Sequence, residues 1–75
     1  MILKNQLAQL REKKSMSQTE LAAKLQVSQQ TISKWESGSS VPKPYQMSFL
    51  EDLFDVSKEQ IFFESFNYKM KLKLR

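Results

Sequence analysis

Residues 17–38 read SQTELAAKLQVSQQTISKWESG, and every other segment of the chain reads as support or partner for this stretch. It holds two short amphipathic helical patterns joined by Gln26-Val27-Ser28, and each pattern opens on a serine. Ser17 precedes Gln18-Thr19-Glu20, so its hydroxyl can cap the first turn while Glu20 completes an S-x-x-E capping box. Ser28 stands likewise before Gln29-Gln30-Thr31, and Gly38 follows where a helix end calls for a left-handed residue. Leu21, Ala22 and Leu25 line one face of the first helix, and Ile32, Trp35 and Glu36 one face of the second. Helices this short, joined this tightly, cannot lie parallel; the chain must turn sharply between them.

Working outward, Leu3, Leu7 and Leu10 recur at helical spacing, so residues 2–13 read as an amphipathic helix ending in cations suited to its C-terminus, Lys13-Lys14. Met16, just ahead of the cap Ser17, is placed to pack on Leu21 as a hydrophobic staple. After Gly38, Ser39-Ser40-Val41-Pro42-Lys43-Pro44 reads as a loop, with Pro44 well placed to open a helix. Tyr45, Phe49, Leu50, Leu53 and Phe54 give residues 45–54 an apolar helical face, with Glu51-Asp52 on the wet side. Asp55-Val56-Ser57 interrupts, and Ser57 caps a short fifth helix over 58–63. The expectation is all-α: a compact five-helix bundle within residues 1–66.

From Phe66 the period changes. Phe66, Tyr68, Met70, Leu72 and Leu74 alternate with Asn67, Lys69, Lys71, Lys73 and Arg75, the pattern of a β-strand. A lone strand cannot satisfy its own backbone, and the chain offers no other strand pattern. The same strand in a second subunit is the simplest partner, which makes 67–75 a dimerisation tail with those apolar side chains as its contacts.

A chain of 75 residues has room for one domain and one modest core. With no cysteine, neither a disulfide nor a thiolate metal site can staple it. The first residues lack the apolar run of a signal peptide, and no stretch approaches the ~20 residues that span a bilayer, so a cytoplasmic protein is expected. Charge is segregated: residues 1–47 carry seven Lys/Arg and three Glu, 48–66 one Lys and five acids, and 67–75 four bases and no acid. Separate basic regions are the footprint of a polyanion binder. There is no histidine, no phosphate-cradling glycine loop and no carboxylate set at metal-ligand spacing, so an enzyme, a cofactor and a metal site are not expected. Four basic charges on an alternating rather than helical pattern also fit a membrane surface poorly.

At residues 17–42 the chain resembles the Xre/Cro-type helix-turn-helix family, the DNA-binding domains of lambdoid phage repressors and many bacterial regulators. The matching words are Gln18-Thr19-Glu20-Leu21-Ala22, the run from Val27 to Gly38, and Pro42, with Arg11 before and Leu50, Leu53, Phe54, Val56 and Ile61 behind. The resemblance implies that the helix after the turn lies in the major groove. The helical wheel agrees, because Ile32, Trp35 and Glu36 share one side and leave Gln30, Ser33, Lys34 and Ser37 on the other. Gln pairs with adenine N6 and N7, and Lys donates to guanine O6 and N7. Gln30 and Lys34 are therefore candidate base contacts; Gln29 joins them on the resemblance alone, since the wheel does not decide its direction. The resemblance also nominates Gln18, Ser39, Ser40 and Lys43 for phosphates, with Thr31 and Ser33 as further candidates, and pairs Arg11 with Glu36 as a structural tie. Trp35, on the Ile32 side, reads as packing. Three positions depart from the family pattern: Gln26 stands where glycine is usual in the turn, Asp55 where glycine usually closes the fourth helix, and Glu51 where a small buried alanine is common.

The function expected is a sequence-specific transcriptional regulator, a repressor, binding an inverted-repeat operator on double-stranded DNA as a homodimer. The alternative keeps the fold but makes a partner protein the main target, as in an antitoxin, with the acidic 48–66 region and Phe62, Phe63 and Phe66 as the docking surface.

Overall fold

The computed structural model describes residues 6–63, and within them every regular element is helical. The elements are α1 (Leu7–Lys13), α2 (Gln18–Leu25), α3 (Gln29–Ser37), α4 (Pro44–Phe54) and α5, a single π-type turn at Glu59–Phe63. The expected tail strand, with Phe66, Tyr68, Met70, Leu72 and Leu74, lies outside the described residues, as do residues 2–5 of the first helix expected over 2–13; within the described residues that helix begins at Leu7, with Gln6 as its N-cap. Among the described residues no helix is long and apolar enough to cross a membrane.

Caps set the ends of the central pair. Ser17 Oγ accepts from Glu20 N at 3.0 Å while Glu20 Oε1 accepts from Ser17 N at 2.7 Å, closing the capping box. Ser28 Oγ accepts from Thr31 N at 3.1 Å and opens α3 the same way. At the far end Gly38, with φ 84°, lets the Ser39 amide fold back onto the Lys34 carbonyl at 2.9 Å. Pro44 takes the first position of α4, where its missing N–H costs nothing, and Gln46 Oε1 reaches back to the Lys43 amide at 2.8 Å.

The apolar faces converge on one core: Leu7, Leu21, Ala22, Ile32, Trp35, Leu50, Phe54 and Ile61 are all buried, with Leu10, Met16, Leu25, Val27, Leu53, Val56 and Phe62 packed around them. α3 lies against both α2 and α1. Trp35 is 3% exposed, so its ring serves the core and is out of reach of a base.

The departures from the family pattern each have a local resolution. Gln26 (φ 58°) and Asp55 (φ 57°) both turn left-handed, and Ser15 (φ 55°) does so as well, a corner no sequence rule had marked. Glu51 is half-buried, and its Oε2 accepts from the Lys58 amide at 2.7 Å, a backbone donor at the entry to α5. α5 is in turn tied to the start of α1, because the Gln6 amide donates to the Ile61 carbonyl at 2.9 Å.

Candidate nucleic-acid interface

α3 divides cleanly. Ile32 and Trp35 are buried, while Gln29, Gln30, Ser33, Lys34 and Ser37 are exposed along its outer side. A helix whose inner face holds the core and whose outer face carries amides, a hydroxyl and a cation presents the donor and acceptor set that reads base edges.

What holds that helix is a run of side chains crossing three elements. On α1, Arg11 Nε donates to Glu36 Oε2 at 2.6 Å and Nη2 to Oε1 at 3.3 Å, while Nη1 holds the Met16 carbonyl at 2.8 Å. The two charged side chains are 11% and 10% exposed. In such a site the pair is worth more for what its loss would cost than for what its presence contributes, because either charge left alone would be buried unpaired. The hydrogen bond that Arg11 donates to Glu36 is the main reason that its guanidinium sits above its ordinary pKa, against the opposing pull of burial. A raised cation keeps its stabilising charge at every pH below its unfolded value and loses it only as pH climbs through the folded one, so the tie holds across the whole neutral range.

From Glu36 the run continues to α2 and back to α3. Gln18 Nε2 donates to Glu36 Oε1 at 2.9 Å, and Gln29 Nε2 donates to Gln18 Oε1. A carboxylate accepts and cannot donate, so Glu36 orients the Gln18 amide, and the oxygen of Gln18 in turn orients Gln29. The outcome is a defined polarity at the start of the outer face: Gln29 keeps its Oε1 and one N–H for another molecule. An acceptor beside a donor is the pair that adenine N6 and N7 require.

The side chains nominated for phosphate fall into two groups around α3. Near its start, Thr31 is half-buried with its hydroxyl against Ser28 Oγ at 2.9 Å, and Gln18 is half-buried with its amide in the run just described. At its end, Ser39 and Lys43 are exposed and Ser40 is half-buried in the loop to α4. Ser37 Oγ donates to the Lys34 carbonyl at 3.1 Å and meets Ser39 Oγ at 2.9 Å, which steadies that loop. Ser33 is exposed on the outer side of α3. Arg11 is nearly buried against Glu36, and the exposed lysines of α3 and the loop after it are Lys34 and Lys43.

The bridging role of Gln18 was the piece that sequence reasoning missed. Its signal was present: each helix of the central pair opens with glutamine directly after a capping serine, and a sharp turn brings two such starts together.

Among curated proteins, the chain is 38% identical over 55 residues to the HTH-type transcriptional activator BcrR of Enterococcus faecalis, a match that takes in 73% of this chain and 27% of that protein. The chain thus spans about a quarter of the length of that relative. No solved structure matches it significantly. The helix-turn-helix family profile covers residues 7–61, from the first residue of α1 into α5. With that coverage, and with capped helices meeting at a left-handed turn behind an outward-facing α3, the chain belongs to the Xre/Cro-like helix-turn-helix family of DNA-binding domains.

Proposed function

We propose that this chain is a sequence-specific transcriptional regulator that binds double-stranded DNA with α3 in the major groove. The observation that carries the reading is the directed run from Glu36 through Gln18 to Gln29, which supports a fixed acceptor-donor pair at the reading end of α3. Gln29, Gln30 and Lys34 make the base contacts, each worth about 1–3 kcal/mol of discrimination. Gln18, Thr31, Ser33, Ser39, Ser40 and Lys43 contact phosphates, which set register without carrying sequence information. Two copies bind an inverted repeat with their recognition helices one turn of DNA apart, about 34–36 Å. Residues 67–75 of each copy pair as strands to join them, and the dimer represses by occupying a promoter.

The test is selection of bound duplexes from a random pool at about 150 mM salt, where non-specific attraction is weak. An enriched inverted repeat with half-sites one turn apart supports dimer and reading helix together; failure to enrich any sequence would overturn the specific reading. Activation is the second reading, favoured by the name of the BcrR relative. A reporter carrying the selected site separates the two, since repression lowers its output in the presence of the protein and activation raises it.

A further inference from the structure

The outer stripe of α4 is uncovered. Tyr45, Ser48, Phe49 and Asp52 recur at i, i+3, i+4 and i+7, so they share one side of the helix, and all four are exposed. Tyr45 is 70% exposed and Phe49 42%. With Val41 they are the exposed large apolar side chains among the described residues. Between the stripe and the end of α2 runs a groove lined by Lys24, Leu25, Gln26, Tyr45, Gln46 and Phe49, about 180 Å³ in volume. None of these residues belongs to the outer side of α3, so the stripe is separate from the surface that reads bases.

The charges on the stripe stand in opposition. Lys24 lies by the first turns of α4, sharing the groove with Tyr45 and Phe49, whereas Asp52 and Asp55 lie past them toward the helix end. None of the three takes part in an ion pair among the described residues. A surface with a cation at one end, acids at the other and aromatic rings between them is complementary to itself when turned end for end. Consider two copies laid antiparallel about a two-fold axis that passes between Ser48 and Phe49. Tyr45 then falls opposite Asp52 of the second copy, Ser48 opposite Phe49 of the second copy, and Lys24 comes beside the acids of the second copy. The small Ser48 leaves room for the facing ring, and the Tyr45 hydroxyl can donate to the facing carboxylate. A parallel arrangement would set Asp52 against Asp52, which repels.

The size of the face fixes how strongly it can hold. At 150–250 Å² per aromatic side chain, the exposed parts of Tyr45 and Phe49 come to about 220 Å². A stable dimer buries roughly 800 Å² on each partner. The stripe therefore falls short of joining free copies at the micromolar concentrations of a sedimentation run. It suffices where copies are already neighbours, because copies on adjacent stretches of one duplex meet at millimolar local concentration.

We infer that the outer stripe of α4 is a self-contact, which packs antiparallel on the same stripe of a second copy and couples copies bound side by side on one DNA. Where the contact acts rests on the DNA-binding reading above, whereas the contact itself belongs to the free chain.

The chain has no cysteine, so an introduced one reports without background. Ser48→Cys sits next to the two-fold axis; Thr19→Cys and Lys13→Cys, exposed on α2 and α1, are the references. Each full-length variant is treated with oxidised glutathione at high protein concentration without DNA, and the rate of covalent dimer formation is read. The inference expects Ser48→Cys to link roughly tenfold faster than either reference. In that background Lys24→Glu or Asp52→Lys sets like charges across the axis and slows linking roughly fivefold, and the two together restore it. Equal rates at 48, 19 and 13, or a double charge variant as slow as the single ones, overturn the contact. Duplexes carrying one or two copies of the selected operator then locate its action. Filling of the second site should weaken roughly fivefold in either single charge variant and recover in the double. Two sites filled independently by the unsubstituted chain overturn the coupling. A pool that yields no selected operator removes the DNA reading, and the coupling with it, while the linking rates still decide the contact.

Discussion

Gln26 turns the corner between α2 and α3 with φ 58°, in a conformation that costs an ordinary residue roughly 1–2 kcal/mol. Gln26→Gly should relieve that strain and, after the greater flexibility glycine gives the unfolded chain, leave about 0.5–1 kcal/mol of added stability. The check is urea unfolding followed by Trp35 fluorescence; an unchanged or lower midpoint would mean the corner is not strained. The two exposed lysines of the interface should part company. Lys34→Ala is expected to relax preference at one base position, whereas Lys43→Ala should weaken all duplexes alike and lower the salt slope by about 1 per copy. Competition titrations on single-base operator variants distinguish the two, and parallel losses for both would remove Lys34 from the base-contact set. A subtler change is Glu36→Gln. It keeps size but replaces one of the two acceptor oxygens with a donor and removes the charge opposite Arg11, so Gln18 and Gln29 are free to reverse. Preference for adenine at the Gln29 position should fall at a temperature where far-UV circular dichroism still shows native helix content, and the melting temperature should drop as well because the Arg11 charge loses its partner.

At the scale of the element, α3 is held at its end by Glu36, which takes Arg11 of α1 and Gln18 of α2, and at its start by Gln29 on the same Gln18. Glu36→Ala leaves a nearly buried guanidinium with only the Met16 carbonyl and the more distant, exposed Glu12 carboxylate at 3.8 Å, and should cost about 3 kcal/mol, equivalent to a drop of roughly 15 °C in the melting temperature of a domain this small. A shift of only a few degrees in calorimetry would mean that Glu12 takes over the pairing. The ends of α2 and α3 were legible in the sequence because a capping serine and a terminal glycine act within a few residues of themselves. The Arg11–Glu36 tie was legible only through family resemblance, since nothing local joins residues so far apart in the chain. The amide run through Gln18 was not legible, because amide polarity is decided by which side chains meet once the helices pack. The same holds for Glu51, which looked like an intrusion into α4 and instead accepts from the Lys58 backbone. The left-handed Ser15 and the π-type form of α5 likewise follow from how the segments must join the core, and no residue type announces them.

At the scale of the molecule, charge and assembly are divided along the chain. The interface cations lie on α3 and in the loop after it, whereas the acids gather on α4 and around α5, so the domain meets a polyanion in one orientation. Removing residues 67–75 should abolish self-association and weaken operator binding, because each half-site is then bound without its neighbour. Analytical ultracentrifugation of the truncated chain is the check, and a persistent dimer would move the contact to Phe62, Phe63 or Phe66. The tie between the Gln6 amide and the Ile61 carbonyl has an architectural result. It sets the start of α1 beside α5, so the first and last of the described helices close on each other and the five share one core. A unit closed on itself in this way works as a cartridge: joined to a larger protein, it would still present the same face to the double helix.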